Sequence, residues 1–132
     1  MNIKELIIKN DMSLTDITEQ TKSYCPLPWS HLHISAKGDV LPCCIGNWDL
    51  PLGNINEQSF DEIWQGDKIN KMRKALIDDK KVPECSTCYL KEKDSGFSLR
   101  HDNINKFHEV SKEMVLSTNE DGSAPLAKPV YW

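Results

Sequence analysis

The chain has 132 residues, enough for one compact domain with a modest core and too few for a large catalytic fold. Sixteen Lys and Arg against twenty Asp and Glu leave a net charge of -4, which argues against a dedicated nucleic-acid binder. No run approaches the ~18 apolar residues of a membrane helix, and the N-terminus, acidic already at Glu5, lacks the pattern of an export signal, so a cytoplasmic protein is expected.

Residues 1–24 read as a helical extension, with Ser13 as a cap, Asp16 in the first turn and a short helix to about Gln20. In Cys25-Pro26-Leu27-Pro28-Trp29 the two prolines predict an extended chain rather than a helix. Residues 29–44 form a β-hairpin pattern around Gly38. With Lys37-Gly38 as a two-residue loop, Leu32 pairs with Cys43 and Ile34 with Leu41, leaving His31, His33 and Cys44 on the other face. Alternation then sends Cys43 and Cys44 to opposite faces and predicts a buried or half-buried, spare Cys44. Pro42 places the second strand at an edge or at its own end.

Residues 45–58 read as a structured loop. Ser59-Phe60-Asp61-Glu62 is a capping box, Gly66 a break, and a helix is expected from about Asp67 to Asp79 with Ile69, Met72, Leu76 and Ile77 on its buried stripe. Lys68, Lys71, Lys74, Lys80 and Lys81, together with Arg73, form a positive patch. A solvated face is the simpler reading, and docking of an acidic peptide or a partner enzyme is the alternative. Pro83 stops the helix and Cys85-Ser86-Thr87-Cys88 follows as a tight turn. After Gly96, a helix from Phe97 to about Val115 is expected to bury Ile104, Phe107 and Met114. The polar run Asn119-Glu120-Asp121-Gly122-Ser123 is a turn, and Val130-Tyr131-Trp132 reads as a strand start or a docking segment. The sum is an α+β fold: a small β-hairpin plus short helices around a four-Cys metal or cluster site.

Five cysteines, at 25, 43, 44, 85 and 88, carry the chemistry. In a reducing compartment an odd set of thiols points to metal binding or redox chemistry rather than to disulfides. Cys85 and Cys88 stand at the spacing by which one turn aims two sulfurs at one centre, and Cys25 and Cys43 bracket the hairpin. Four Cys ligands suit an iron–sulfur cluster or one zinc ion, and reduced core thiols remain a third reading. A thioredoxin-like role for Cys85 and Cys88 lacks the strand–helix frame it needs. His31 and His33 read as strand side chains rather than ligands, and His101 and His108 share a helix face without two further ligands. Trp29 and Trp64 read as core residues. Nothing in the chain forms a nucleophile–base pair, a phosphate loop or a paired-carboxylate site, so no catalytic residue is assigned.

Cys25, then Gly38-Asp39-Val40-Leu41-Pro42-Cys43, Leu52-Gly53-Asn54-Ile55, Ser59-Phe60-Asp61-Glu62-Ile63-Trp64 and Cys85-x-x-Cys88 together resemble a SPASM/twitch domain, the auxiliary iron–sulfur module of radical S-adenosylmethionine enzymes. The resemblance covers roughly residues 24–95. It implies that Cys25, Cys43, Cys85 and Cys88 bind one auxiliary 4Fe-4S cluster that relays electrons or positions a peptide substrate; the alternative, read from the residues alone, is a structural or interaction module stabilised by one zinc ion. No cysteine follows Cys88, which matches the shorter twitch form. The Cys-x3-Cys-x2-Cys motif of the catalytic cluster is absent from this chain, which is therefore expected not to cleave S-adenosylmethionine alone. The domains expected are an N-terminal helical extension over 1–24, a cluster domain over 25–95, and a C-terminal helix and tail over 96–132 that lead toward a missing catalytic core. The implied partners are a radical S-adenosylmethionine core, in cis or in trans, and a peptide substrate, with no nucleic acid and no membrane.

Overall fold

The computed structural model describes residues 2–10 and 14–129. The expected Ser13 cap and the Val130-Tyr131-Trp132 tail lie outside these residues. In chain order the elements are α1 (Ile3–Asn10), α2 (Leu14–Gln20), α3 (Leu27–Ser30), β1 (His33–Ile34), β2 (Asp39–Leu41), β3 (Gly53–Asn54), α4 (Phe60–Trp64), α5 (Asp67–Ile77), a 3-10 turn (Pro83–Cys85), α6 (Ser86–Ser95) and α7 (Leu99–Leu116). The α+β class stands: a three-stranded antiparallel sheet in the order β1-β2-β3, surrounded by helices.

The hairpin register differs from the expected one by a residue. His33 faces Leu41 and Ile34 faces Val40. The Ser35 N–H donates to the Asp39 carbonyl and the Gly38 N–H to that of Ser35, so Ala36, Lys37 and Gly38 form a three-residue loop. Gly38 closes it at φ +91, the left-handed position that three-residue hairpin loops reserve for glycine. β3 was invisible in the sequence because it is two residues long and one of them is Gly53. Its pairing with β2 makes β2 the central strand, and Pro42 falls just past its end, where no ladder donor is needed.

The proline-rich segment is not extended. Pro26 caps α3 and Pro28 sits inside its first turn, where the missing N–H groups cost nothing because those donors have no intrahelical partner anyway. α4 starts with the expected capping box: the Glu62 N–H donates to Ser59 Oγ, and the Ser59 N–H donates to the Glu62 carboxylate, both at 3.2 Å. α5 buries Ile69, Met72, Leu76 and Ile77 as its periodicity requires. It ends at Ile77 rather than Asp79, well before Pro83. Asp79 takes φ +55 and turns its carboxylate onto the Lys22 and Ser23 N–H groups at 2.9–3.0 Å. This tie fixes the chain just ahead of Cys25.

Trp29 and Trp64 are buried in one core with Ile3, Ile7, Ile17, Leu32, Val40, Ile63, Ile69, Met72, Leu76, Ile104 and Val115. α1 packs on α5, and both α2 and α3 pack on α7. Arg73 does not belong to the surface patch. It is fully buried and donates to the carbonyls of Pro28 and Trp64 at 2.9 and 3.0 Å, with its guanidinium 4.7 Å over the Trp64 ring. Among the helices described, none is long and apolar enough to cross a membrane.

Candidate metal centre

Four segments deliver Cys25, Cys43, Cys85 and Cys88 to one place. Cys25 directly precedes α3, where the Leu27 N–H is directed at its sulfur. Cys43 lies in a turn after β2, closed by the Gly46 N–H on the Cys43 carbonyl at 3.0 Å. The next residue, Asn47, donates its N–H to the Glu84 carbonyl at 2.9 Å, which draws that turn against the 3-10 turn ending in Cys85. Cys88 follows in the first turn of α6. The expected tight turn around Cys85-Ser86-Thr87-Cys88 is in fact a junction between a 3-10 turn and a helix. Either geometry aims both sulfurs to one side.

These four cysteines line a single small cavity, with Ile45, Gly46, Arg100 and Asn103 completing its wall. The cavity measures about 20 Å³, roughly the room of one water molecule. Among the described residues, no three His, Cys, Asp or Glu are gathered tightly enough to hold a single metal ion. The donor set nonetheless fits an iron–sulfur cluster: thiols only, drawn from separate segments, in a partly apolar wall.

Burial and mutual proximity set the thiol chemistry. Burial pushes Cys25 up to about 12, against the lowering effect of the Leu27 N–H, with the neighbouring Cys43 adding to the rise. Burial likewise raises Cys43 to about 11, partly offset by the Ile45 N–H. Cys85 is raised well above the ordinary range by burial and then by the other three sulfurs. Burial also raises Cys88, against the Arg100 N–H. Metal-free, the quartet therefore holds its protons at neutral pH, and any metal that binds must displace them.

Cys44 is exposed, which corrects the expectation of a buried or half-buried spare thiol. β2 stops at Leu41, so strand alternation does not govern Cys43 and Cys44. The turn separates them instead, with Cys43 on the cavity and the Cys44 carbonyl accepting from Trp48 Nε1 at 3.2 Å. Neither Trp29 nor Trp64 is part of the cavity wall; their indole N–H groups donate to Thr118 Oγ1 and the Ala127 carbonyl. His33 packs against Trp48 rather than the cysteines.

Sequence reasoning missed the contribution of α7. Arg100 is buried on the cavity wall, and its guanidinium binds the Glu92 carboxylate at 2.6–3.2 Å, Thr21 Oγ1 and the carbonyls of Thr21 and Tyr24. Asn103 Nδ2 donates to Cys25 Sγ at 3.7 Å. Ser98 caps the helix, accepting the Arg100 N–H at 3.2 Å while its own hydroxyl donates to Glu92 at 3.0 Å. The sequence signalled only a helix after Gly96, which says nothing of what that helix faces.

A small α+β fold with four thiols on one cavity defines a cysteine-lined domain, and comparison supplies its family. Residues 25–89 match the family model of SPASM, an iron–sulfur cluster-binding domain. The chain thus carries a SPASM/twitch domain, of the kind associated with radical S-adenosylmethionine enzymes. It is 33% identical over 76 residues to the S-adenosyl-L-methionine-dependent 2-deoxy-scyllo-inosamine dehydrogenase of Niallia circulans, a match that spans 54% of this chain and 30% of that protein. The chain therefore aligns with less than a third of that relative's length. No solved structure matches.

Proposed function

We propose that Cys25, Cys43, Cys85 and Cys88 bind one 4Fe-4S cluster that serves as the auxiliary centre of a radical S-adenosylmethionine system, relaying electrons or positioning substrate beside a catalytic core. The observation that carries this reading is the shared cavity of four thiols from separate parts of the chain. The SPASM match, which begins at Cys25 and ends one residue past Cys88, supports it. When bound, such a cluster supplies a one-electron couple. The chain's own residues orient the sulfurs, direct N–H groups at them and keep bulk water off the inner face. Occupation of all four positions by Cys favours relay or structure over direct substrate ligation. The core itself is supplied in cis or in trans, and its substrate is a peptide or a small molecule of the kind named for the Niallia circulans relative.

Anaerobic purification followed by iron, sulfide and zinc analysis tests the reading. A brown protein with broad absorption near 400 nm and about four iron atoms per chain is expected. Cys85→Ala is expected to lose that iron. A colourless chain carrying one zinc, or one that takes up neither iron nor sulfide on reconstitution, overturns it.

A further inference from the structure

α7 lies beyond the family-matched segment, which ends at residue 89, yet it forms one wall of the cysteine cavity. Asn103 is buried there, and its side-chain amide points at Cys25 Sγ across 3.7 Å, within reach of an N–H···S hydrogen bond. A metal-bound thiolate can only accept, so the amide presents its nitrogen rather than its oxygen. Donors to cluster sulfurs draw electron density off the thiolate and favour the reduced state, which carries one more negative charge. α7 holds this amide against the chain that follows Tyr24, and Arg100, one helical turn earlier, ties the same segment through the Tyr24 carbonyl at 3.0 Å.

We propose that Asn103 is a positioning residue of the cluster site, donating to Cys25 Sγ and raising the reduction potential of the bound cluster. This rests on the cluster reading above and adds to it a residue outside the SPASM match. It makes α7 part of the centre rather than a trailing helix. Asn103→Leu keeps the approximate volume and removes the donor; Asn103→Asp keeps the shape and adds a negative charge beside the sulfur.

The test uses the full chain, reconstituted anaerobically, with iron and sulfide measured on every sample and a redox titration followed by electron paramagnetic resonance, dithionite supplying the electron. Both variants are expected to retain the iron of the wild type. Asn103→Leu should lower the reduction equilibrium constant by up to about tenfold, ~59 mV in a one-electron couple, and Asn103→Asp should lower it further. Iron-loaded variants that titrate with the wild type overturn the proposal while leaving the cluster reading intact. Should the variants not fold, the wild type labelled with side-chain-15N asparagine decides: a 15N coupling to the reduced cluster is expected, and its absence overturns the proposal. Wild-type protein that takes up no iron overturns this proposal together with the reading beneath it.

Discussion

Arg73 and Arg100 are both buried, and each ties distant segments together, but they are held in opposite ways. Arg73, on α5, donates to two main-chain carbonyls and Asn70 Oδ1 and lies over the Trp64 ring, and burial lowers its pKa to about 10. Arg100, on α7, is paired with Glu92, a carboxylate one helix away. The first behaves as a long amphipathic side chain filling the core and tying off carbonyls at two helix ends. The second is a charge pair beside the cysteines, its guanidinium balanced by a carboxylate. Burial of arginine therefore has two meanings in this molecule, one architectural and one electrostatic.

The sharpest way to separate them is removal. Arg100→Met leaves the half-buried Glu92 only Ser98 and His101 and strands the Thr21 and Tyr24 carbonyls, and breaking such a pair is expected to cost ~3 kcal/mol in urea unfolding. It should also disturb iron uptake, since Arg100 lines the cavity and holds the Tyr24 carbonyl beside Cys25. Arg73→Met strands only neutral carbonyls, at about 1–3 kcal/mol for each. Its iron content per folded chain should match the wild type, and equal iron loss in both variants would erase the distinction.

Titration separates them further. Burial acts to raise the Glu92 carboxyl, but its hydrogen bonds and charge pairing with Arg100, helped by Ser98, hold it below the usual carboxylate range. Between its folded and unfolded pKa the unfolded chain binds more protons, so this contribution is present above about pH 4.3 and is lost as pH falls through the folded value. Arg100→Met should flatten that acid limb, and Arg73→Met should leave it. At the other extreme the raised thiols reverse the sign. From about pH 8.5 upward the unfolded thiols ionise while Cys25 and Cys43 stay protonated to about 12 and 11, so metal-free protein should lose stability as pH rises. Unfolding midpoints measured across pH with and without metal check both limbs. The smallest effect is expected at Cys44→Ala, an exposed thiol off the cavity: a change within ~0.5 kcal/mol and unaltered iron content.

Much of the site was legible in local patterns. Ser59 and Glu62 cap α4 as their spacing requires, the apolar stripe of α5 is buried, and Gly96 ends α6 in the left-handed conformation at φ +76. These features depend on neighbours within a turn, so sequence carries them directly. The hairpin slipped by one residue because Gly38 serves a three-residue loop as readily as a two-residue one, and hydrophobic alternation over such short strands cannot choose. Pro26 and Pro28 were misread because a proline's position within a helix, not its presence, decides its effect.

α7 shows where local reading ends. Its buried positions, Arg100, Asn103, Ile104, His108, Ser111 and Val115, recur at helical spacing, but most are polar, so hydropathy picked out Ile104 and not the polar face that turns inward with it. They are buried because the segment from Thr21 to Ser30 presents partners: Arg100 to the Thr21 and Tyr24 carbonyls, Asn103 to Cys25, His108 to the Tyr24 hydroxyl and Ser111 to Ser30. Phe107 and Met114, expected inside, are only half-buried. The amino-acid sequence by itself determined the cysteine spacing, the caps and the amphipathic α5, because each is settled by residues a few positions apart. Which polar side chains face the cysteines, and which arginine meets a carboxylate, only the tertiary structure decided, because a buried donor is stabilised by an acceptor that the chain brings to it from some eighty residues away.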